Sequence, residues 1–294
     1  YNSPPTQILN DNQKHTIEAA KSGREKKMKK IVFTVLSTLL LMVMLTLAFN
    51  VQSVKSEPRT WIVDDDGPGD FHTIKEAISA ANDGDTIFVR NGTYYEHVSL
   101  GKKVSLIGEN KYGTIIDGNS TKNVVSLIAN NVNISGFTIR NGEYGVRRFS
   151  PYMWPVFTGH RIEDNLIVDN RYGAINLKAC ANDTISNNII ANNTLFGIHL
   201  WHSGNNTLTN NSIVNNGHGI DFYGNSNDNI LRNNNMTNNK YNFGLILRGE
   251  TIEYYWGHRG IVNDVDPSNT VNGKPIYYWH NRSDAHVPAD AGYV

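Results

Sequence analysis

The sequence predicts an all-β fold: a single-stranded right-handed parallel β-helix with a short N-terminal capping α-helix. Three observations carry this. First, a line reading apolar-x-[Asp/Asn]-Asn-x-[Ile/Met] recurs with Ile162, Ile185, Leu208 and Leu231 spaced 23 residues apart, and a fixed period of a few tens of residues marks stacked repeats. Second, the stretch after Gly173, Gly197, Gly219 and Gly244 alternates, as in Ile175-Asn176-Leu177, Ile198-His199-Leu200, Ile220-Asp221-Phe222 and Leu245-Ile246-Leu247. Alternation of period two makes strands with one buried face. Third, these short apolar runs are bounded by Asn and Gly, which are turn formers, and none sustains a helical period.

Taken in chain order, residues 1–27 are polar and read as an upstream or misassigned extension. Residues 28–56 read as a signal peptide or signal anchor. Met28 and Lys29-Lys30 precede nineteen uncharged residues, Ile31 to Phe49, and Val51-Gln52-Ser53 and Val54-Lys55-Ser56 offer small residues for cleavage. Residues 57–294 read as the β-helix, with 57–84 as its cap and 85–294 as coils. Within the cap, Thr73 and Glu76 have capping-box spacing. Ile74, Ala77, Ile78 and Ala81 form one apolar helical face, and Asn82-Asp83-Gly84 ends the helix. Ile134, Ile139 and Gly145 extend the repeat upstream, but Ile134 to Ile162 is 28 residues, so Arg147 to Pro155 reads as an inserted corner loop. The end at Ala291-Gly292-Tyr293-Val294 carries no polar cap, which leads us to expect that the natural chain continues.

Stacking brings like residues over like residues at about 4.8 Å. Asn165, Asn188, Asn211 and Asn234 form one column with the 23-residue step, and Asn170, Asn193, Asn216 and Asn239 another. An amide both donates and accepts, so each column is expected to be a hydrogen-bonded ladder, and Asn also tolerates the left-handed backbone of tight corners. The asparagines are therefore read as scaffold. The net charge is zero and no basic stripe interleaves with aromatics, which speaks against a nucleic-acid partner. The single cysteine, Cys180, excludes an intrachain disulfide and a multi-thiolate metal site.

The spacing of Phe71, Thr73-Ile74, Ala77-Ile78, Gly84-Asp85-Thr86-Ile87 and Gly92-Thr93-Tyr94 resembles the start of pectin methylesterases and of other right-handed β-helix proteins. The later Asn-Asn/Gly-Ile lines resemble the NosD-like family, associated with copper maturation of nitrous-oxide reductase, and the wider group of carbohydrate-binding and sugar-hydrolysis (CASH) domains. Asn269-Thr270-Val271-Asn272-Gly273-Lys274-Pro275-Ile276-Tyr277-Tyr278 resembles an insertion of archaeal surface members of that group. The resemblance implies an archaeal or bacterial exported protein, in the periplasm, on the cell surface or outside the cell, and the fold it implies runs from Trp61 to Val294.

Enzyme motifs of these groups do not carry over. The paired aspartates of the esterases have no match, and of the polygalacturonase motifs only Gly217-His218-Gly219 is present, where Gly219 is the repeat glycine and His218 takes the slot of Tyr172 and Phe196. No catalytic residue is assigned. For metals, His199 and His202 would suit copper but read as a solvated surface pair, and Asp64-Asp65-Asp66 with Asp70 would suit calcium but reads as an acidic turn, so no cofactor is predicted. The binding reading has the most support. Asn176, His199 and Asp221 fall in one outward column and Lys178, Trp201 and Tyr223 in the next, with Arg147, Phe149, Tyr152, Trp154 and Phe157 from the inserted loop beside them. Arg147, Asn176, His199, Trp201, Asp221 and Tyr223 are thus the carbohydrate-binding candidates. The expected role is a non-catalytic carbohydrate-binding or surface structural protein, whose partners are polysaccharides, glycans or envelope proteins. It would touch a membrane only through residues 31–49, if uncleaved. A polysaccharide lyase, hydrolase or esterase and a NosD-like copper accessory protein are the alternatives.

Overall fold

The computed structural model describes residues 10–49, 57–149, 156–246, 262–280 and 282–294. The chain divides at Glu57 and Pro58 into two units. In the first, a single helix runs Asp11–Phe49, long and apolar enough to cross a membrane. It begins well before the apolar run at Ile31, so polar residues that carry no apolar pattern are nonetheless helical.

The second unit is a right-handed parallel β-solenoid of about eight coils. Two nine-stranded sheets and one seven-stranded sheet run along it. The first contains Arg161–Glu163, Thr184–Ser186, Thr207–Thr209 and Ile230–Arg232, the second Leu166–Val168, Ile189–Ala191, Ser212–Val214 and Asn235–Thr237. The third contains Tyr144–Arg148, Gly173–Lys178, Phe196–Trp201, His218–Tyr223 and Tyr241–Ile246. Register pairs Ile162 with Ile185, Ile185 with Leu208 and Leu208 with Leu231, as the period requires. These columns, with Ile167-Ile190-Ile213-Met236 in the second sheet and Ile175-Ile198-Ile220 in the third, are wholly buried.

In the last coil of the third sheet the register departs from the sequence alignment. Ile220 pairs with Phe243, and Gly244 pairs with Asp221. Gly244 therefore does not continue the glycine column, and Phe243 rather than Leu245 follows Ile220. The same register stacks His218 on Phe196 and Phe196 on Gly173, so Tyr172 is one residue away from the slot expected for it.

Both asparagine ladders form. Asn165 Nδ2 donates to Asn188 Oδ1 at 3.2 Å, Asn188 to Asn211 at 3.1 Å and Asn211 to Asn234 at 2.9 Å. Asn170, Asn193, Asn216 and Asn239 repeat the pattern at 2.9–3.0 Å. Each Oδ1 also accepts the backbone N–H of the preceding rung. The left-handed backbone falls on the residue before each rung, at Asp164, Asn187, Asn210 and Asn233, with φ between 53° and 57°. Corner and ladder thus divide two jobs between adjacent residues, one supplying φ > 0 and the other the bridging amide.

The cap helix runs Ile74–Ala80, with Glu76 N–H donating to the Thr73 hydroxyl at 3.3 Å. Its N-terminus is further closed by Glu96, whose carboxylate accepts from Ile74 N–H (2.8 Å) and Lys75 N–H (3.0 Å). Lys102 Nζ donates to the carbonyls of Ile78, Ser79 and Ala81 at the other end, where the helix dipole favours a cation. Ile74, Ala77 and Ile78 are buried over the first coil.

Candidate functional site

Parallel register turns the outer side of the third sheet into straight columns. Arg147 pairs with Asn176, Asn176 with His199, His199 with Asp221, and Asp221 with Gly244. Beside them Lys178 pairs with Trp201 and Trp201 with Tyr223. All six sequence candidates therefore share one face. They are more enclosed than a solvated outer sheet would be: Asp221 is 1% exposed, Asn176 5% and His199 6%. This corrects the expectation of a solvated His199–His202 pair. His202 stands apart at a turn with φ +48°, and its Nδ1 accepts from Asn225 N–H at 3.1 Å.

Asp221 lies between two imidazoles. Its Oδ2 is 3.6 Å from His199 Nδ1 and 3.4 Å from His218 Nδ1, too long for a good hydrogen bond. Both Asp221 oxygens, His199 Nδ1, Trp201 Nε1 and Arg147 Nε are buried without a hydrogen-bond partner, an arrangement that costs stability unless something else satisfies them. The carboxylate has room because the residue beneath it is glycine: a Cβ on Gly244 would collide with Asp221 Oδ1.

Aromatic rings flank this polar column on both sides. On one side Phe196 stacks on His199 at 4.3 Å, His218 meets Phe196 at 5.3 Å, and Tyr241 meets His218 at 5.0 Å. On the other, Trp201 meets Tyr223 edge-on at 5.3 Å, and Lys178 Nζ lies 4.0 Å over Trp201 and 5.1 Å from Phe149. Arg147 lies 4.3 Å over Tyr144 and 4.7 Å from Phe149. Phe157 is on a strand that pairs with Cys180 and Ala181, while Tyr152 and Trp154 fall outside the described residues. Aligning on glycines already put Phe196 and His218 in one slot, but it hid Tyr241 as their next neighbour, because Gly244 is not in the column of Gly197 and Gly219.

A second polar cluster, which the sequence reading passed over, sits inside the coils. His160, Cys180 and Asp183 bring one donor atom each to within 4.8 Å of one another, and all three are buried. Both His160 ring nitrogens and Asp183 Oδ2 have no hydrogen-bond partner. Burial is the main cause of a His160 pKa depressed to about 4 and an Asp183 pKa pushed up to about 7, and it lifts the Cys180 thiol well above its usual value. Arg148, on the strand position paired with core Leu177, is also buried, with its guanidinium 3.6 Å over Phe157. The signal was available: 160, 183, 206 and 229 keep the 23-residue step, as do 180, 203 and 226.

At the other candidate cation site, Asp64, Asp65 and Asp66 gather their carboxylates. Asp70 is engaged elsewhere, accepting from Ile62 N–H at 2.9 Å and facing Arg59 at 4.0 Å.

With the geometry in place, comparison with known proteins identifies the lineage. The sequence profile described as "Periplasmic copper-binding protein (NosD)" matches residues 78–256. The chain belongs to the NosD family. It is also 34% identical over 84 residues to pectinesterase/pectinesterase inhibitor 18 of Arabidopsis thaliana, a stretch that is 24% of this chain and 15% of that one. Among solved structures, pectate lyase Pel9A superposes with a TM-score of 0.52 at 15% identity, covering 71% of this chain and 58% of that one. The carrot pectin methylesterase gives a TM-score of 0.42 at 18% identity, over 66% of this chain and 65% of that one. The pectate lyase likeness shows the fold alone; the chain spans less than two thirds of each of these proteins.

The family description implies copper, and donor chemistry tests whether residues here fit it. Imidazole and thiolate are suitable ligands for transition metals. Among the described residues His160 and Cys180 bring the two together, with orphaned ring nitrogens facing no other partner. The cluster therefore fits a transition ion.

Proposed function

We propose that this NosD-family chain is an exported protein that binds carbohydrate along the outer face of its third sheet. One observation carries the reading: a polar column with unpartnered donors and acceptors runs between two rows of partly exposed rings, Phe196-His218-Tyr241 and Trp201-Tyr223. Sugar rings have apolar faces that stack on such rings, and hydroxyl rims that suit a face carrying polar side chains. The columns follow the solenoid axis, which suits a linear polymer better than a single sugar. Export is supported by the family's periplasmic description and by Lys29-Lys30 ahead of an uncharged helical run.

A hydrolytic reading is less favoured, because inverting and retaining glycosidases use two carboxyl groups and the Arg147–Gly244 column supplies one, Asp221. Metal handling is a second reading; its support is the family description together with His160 and Cys180.

The test is retention on a polysaccharide array. The parent chain is expected to bind one class of polymer, and the Trp201→Ala/Tyr223→Ala double variant to lose that binding while keeping its β-sheet circular dichroism. An array that never retains the parent, or a double variant that binds as well as the parent, refutes the assignment. Sugar release or chain cleavage during the assay would move the reading to an enzyme.

A further inference from the structure

We propose that His160, Cys180 and Asp183 hold one zinc-type divalent ion, resident between two coils rather than carried as transferable cargo. The argument starts from the ladders. A third asparagine ladder runs through the solenoid: Asn206 Nδ2 donates to Asn229 Oδ1 at 3.0 Å and Asn229 Nδ2 to Asn263 Oδ1 at 3.0 Å. Beside it a serine column places Ser226 Oγ under Ser203 N–H and Ser203 Oγ under Cys180 N–H, each at 3.1 Å. Both columns change residue type at the same coil. Asn gives way to Asp183, which still accepts His160 N–H at 2.8 Å, and Ser gives way to Cys180. The next position up the amide column is His160.

The Asp183 replacement removes the amide donor that the ladder uses, and all three replacements install a metal ligand. Where Asn206 presents an N–H₂, Asp183 presents Oδ2 with no partner. The Cys180 sulfur contacts the Lys178 carbonyl at 3.7 Å. Both His160 ring nitrogens are unpartnered, and one of them faces the same point. Three substitutions meeting within 4.8 Å, all 0–1% exposed, gather their donor atoms closely enough for one cation to bridge them.

The donor set selects the ion. One imidazole, one thiolate and one carboxylate are all ordinary zinc ligands, whereas the copper–thiolate site of electron-transfer proteins takes two imidazoles. A bound divalent ion is matched in charge by the thiolate and carboxylate. Arg148 is the cation facing the cluster, and it lies over the Phe157 ring. Burial on all sides makes the ion a fixed cross-link, bound as the coils close.

The experiment is refolding of the full chain, in detergent, with Co(II) alone, then with Zn(II) or copper as competitor. The expected result is about one cobalt per chain, a thiolate-to-cobalt charge-transfer band, displacement by Zn(II), and an unfolding temperature that drops when refolding is done in chelator. Cys180→Ser and Asp183→Asn are the variants of choice, because each installs the residue that its own column carries in the next coil and so is expected to fold. Both should abolish the band and the metal-dependent rise in unfolding temperature. Three results overturn the proposal: no retained ion, with Asp183→Asn raising the unfolding temperature by completing the ladder; cobalt bound equally by parent and variants; or copper held at Cys180 that Zn(II) cannot replace.

Discussion

Asn211 is the most informative single position for the energetics of the scaffold. It is 1% exposed and sits in the middle of a ladder. Its Oδ1 accepts from Asn188 N–H and Asn188 Nδ2, both at 3.1 Å, and its Nδ2 donates to the Ile185 carbonyl at 2.8 Å and to Asn234 Oδ1 at 2.9 Å. Asn211→Ala removes all four contacts. The Asn188 N–H is left buried without its acceptor, at about 1–3 kcal/mol, and the three other bonds contribute about 0.5–1.5 kcal/mol each in net terms. Because Asn188 Nδ2 retains the Ile162 carbonyl at 2.8 Å, the total falls at about 3–5 kcal/mol rather than the full sum. Urea unfolding followed by circular dichroism measures it. Since coils in a solenoid interact with their neighbours, hydrogen exchange should show lost protection concentrated at Asn188 and Asn234. Replacing the corner residue Asn215, which is exposed with φ 56°, by Gly should change stability by less than about 0.5 kcal/mol, because glycine accepts that backbone. If Asn211→Ala costs no more than this control, the ladder is not a stabilising network and the reasoning fails.

Other outcomes follow from the same structure. In metal-free protein, the raised Asp183 pKa means that its stability contribution is full below about 4 and is lost as pH rises toward about 7. The depressed His160 pKa acts oppositely, with its contribution present above about 6.5 and lost as pH falls toward about 4. The two partly cancel, so Asp183→Asn should make stability rise more steeply with pH across that window, read by unfolding temperature; an unchanged profile would contradict the burial argument. Glu96→Ala should cost about 1–2 kcal/mol and fray the cap helix, since Glu96 accepts from both Ile74 and Lys75, and hydrogen exchange at those two amides checks it. Gly244→Ala should displace Asp221 and destabilise by about 1–3 kcal/mol, through overpacking against its carboxylate.

Much of this was legible in the sequence because a solenoid converts period into position. Once Ile162, Ile185, Leu208 and Leu231 share a step and the glycines align the strands between, the columns Asn176-His199-Asp221 and Lys178-Trp201-Tyr223 follow without coordinates. The reading failed where the step varies. Ile220 to Phe243 is 23 residues but Gly219 to Gly244 is 25, so alignment on glycines slipped in the last coil, hiding that Gly244 makes room for Asp221. It also failed where burial depends on neighbours: His199 was expected in solvent, but Phe196, one column away, stacks on it. The His160–Cys180–Asp183 cluster kept its period but lost its residue type, so a search for repeated letters passed over it.

The sequence by itself determined the fold, the ladders and the order of side chains along each face, because those depend on periodicity and on the few residues that tolerate a corner. Tertiary structure alone decided which polar groups are buried without partners. That property arises from atoms on different coils, such as Asp221 against His199 or Asp183 beneath His160. Their separations are set by packing in three dimensions, and no spacing along the chain specifies them.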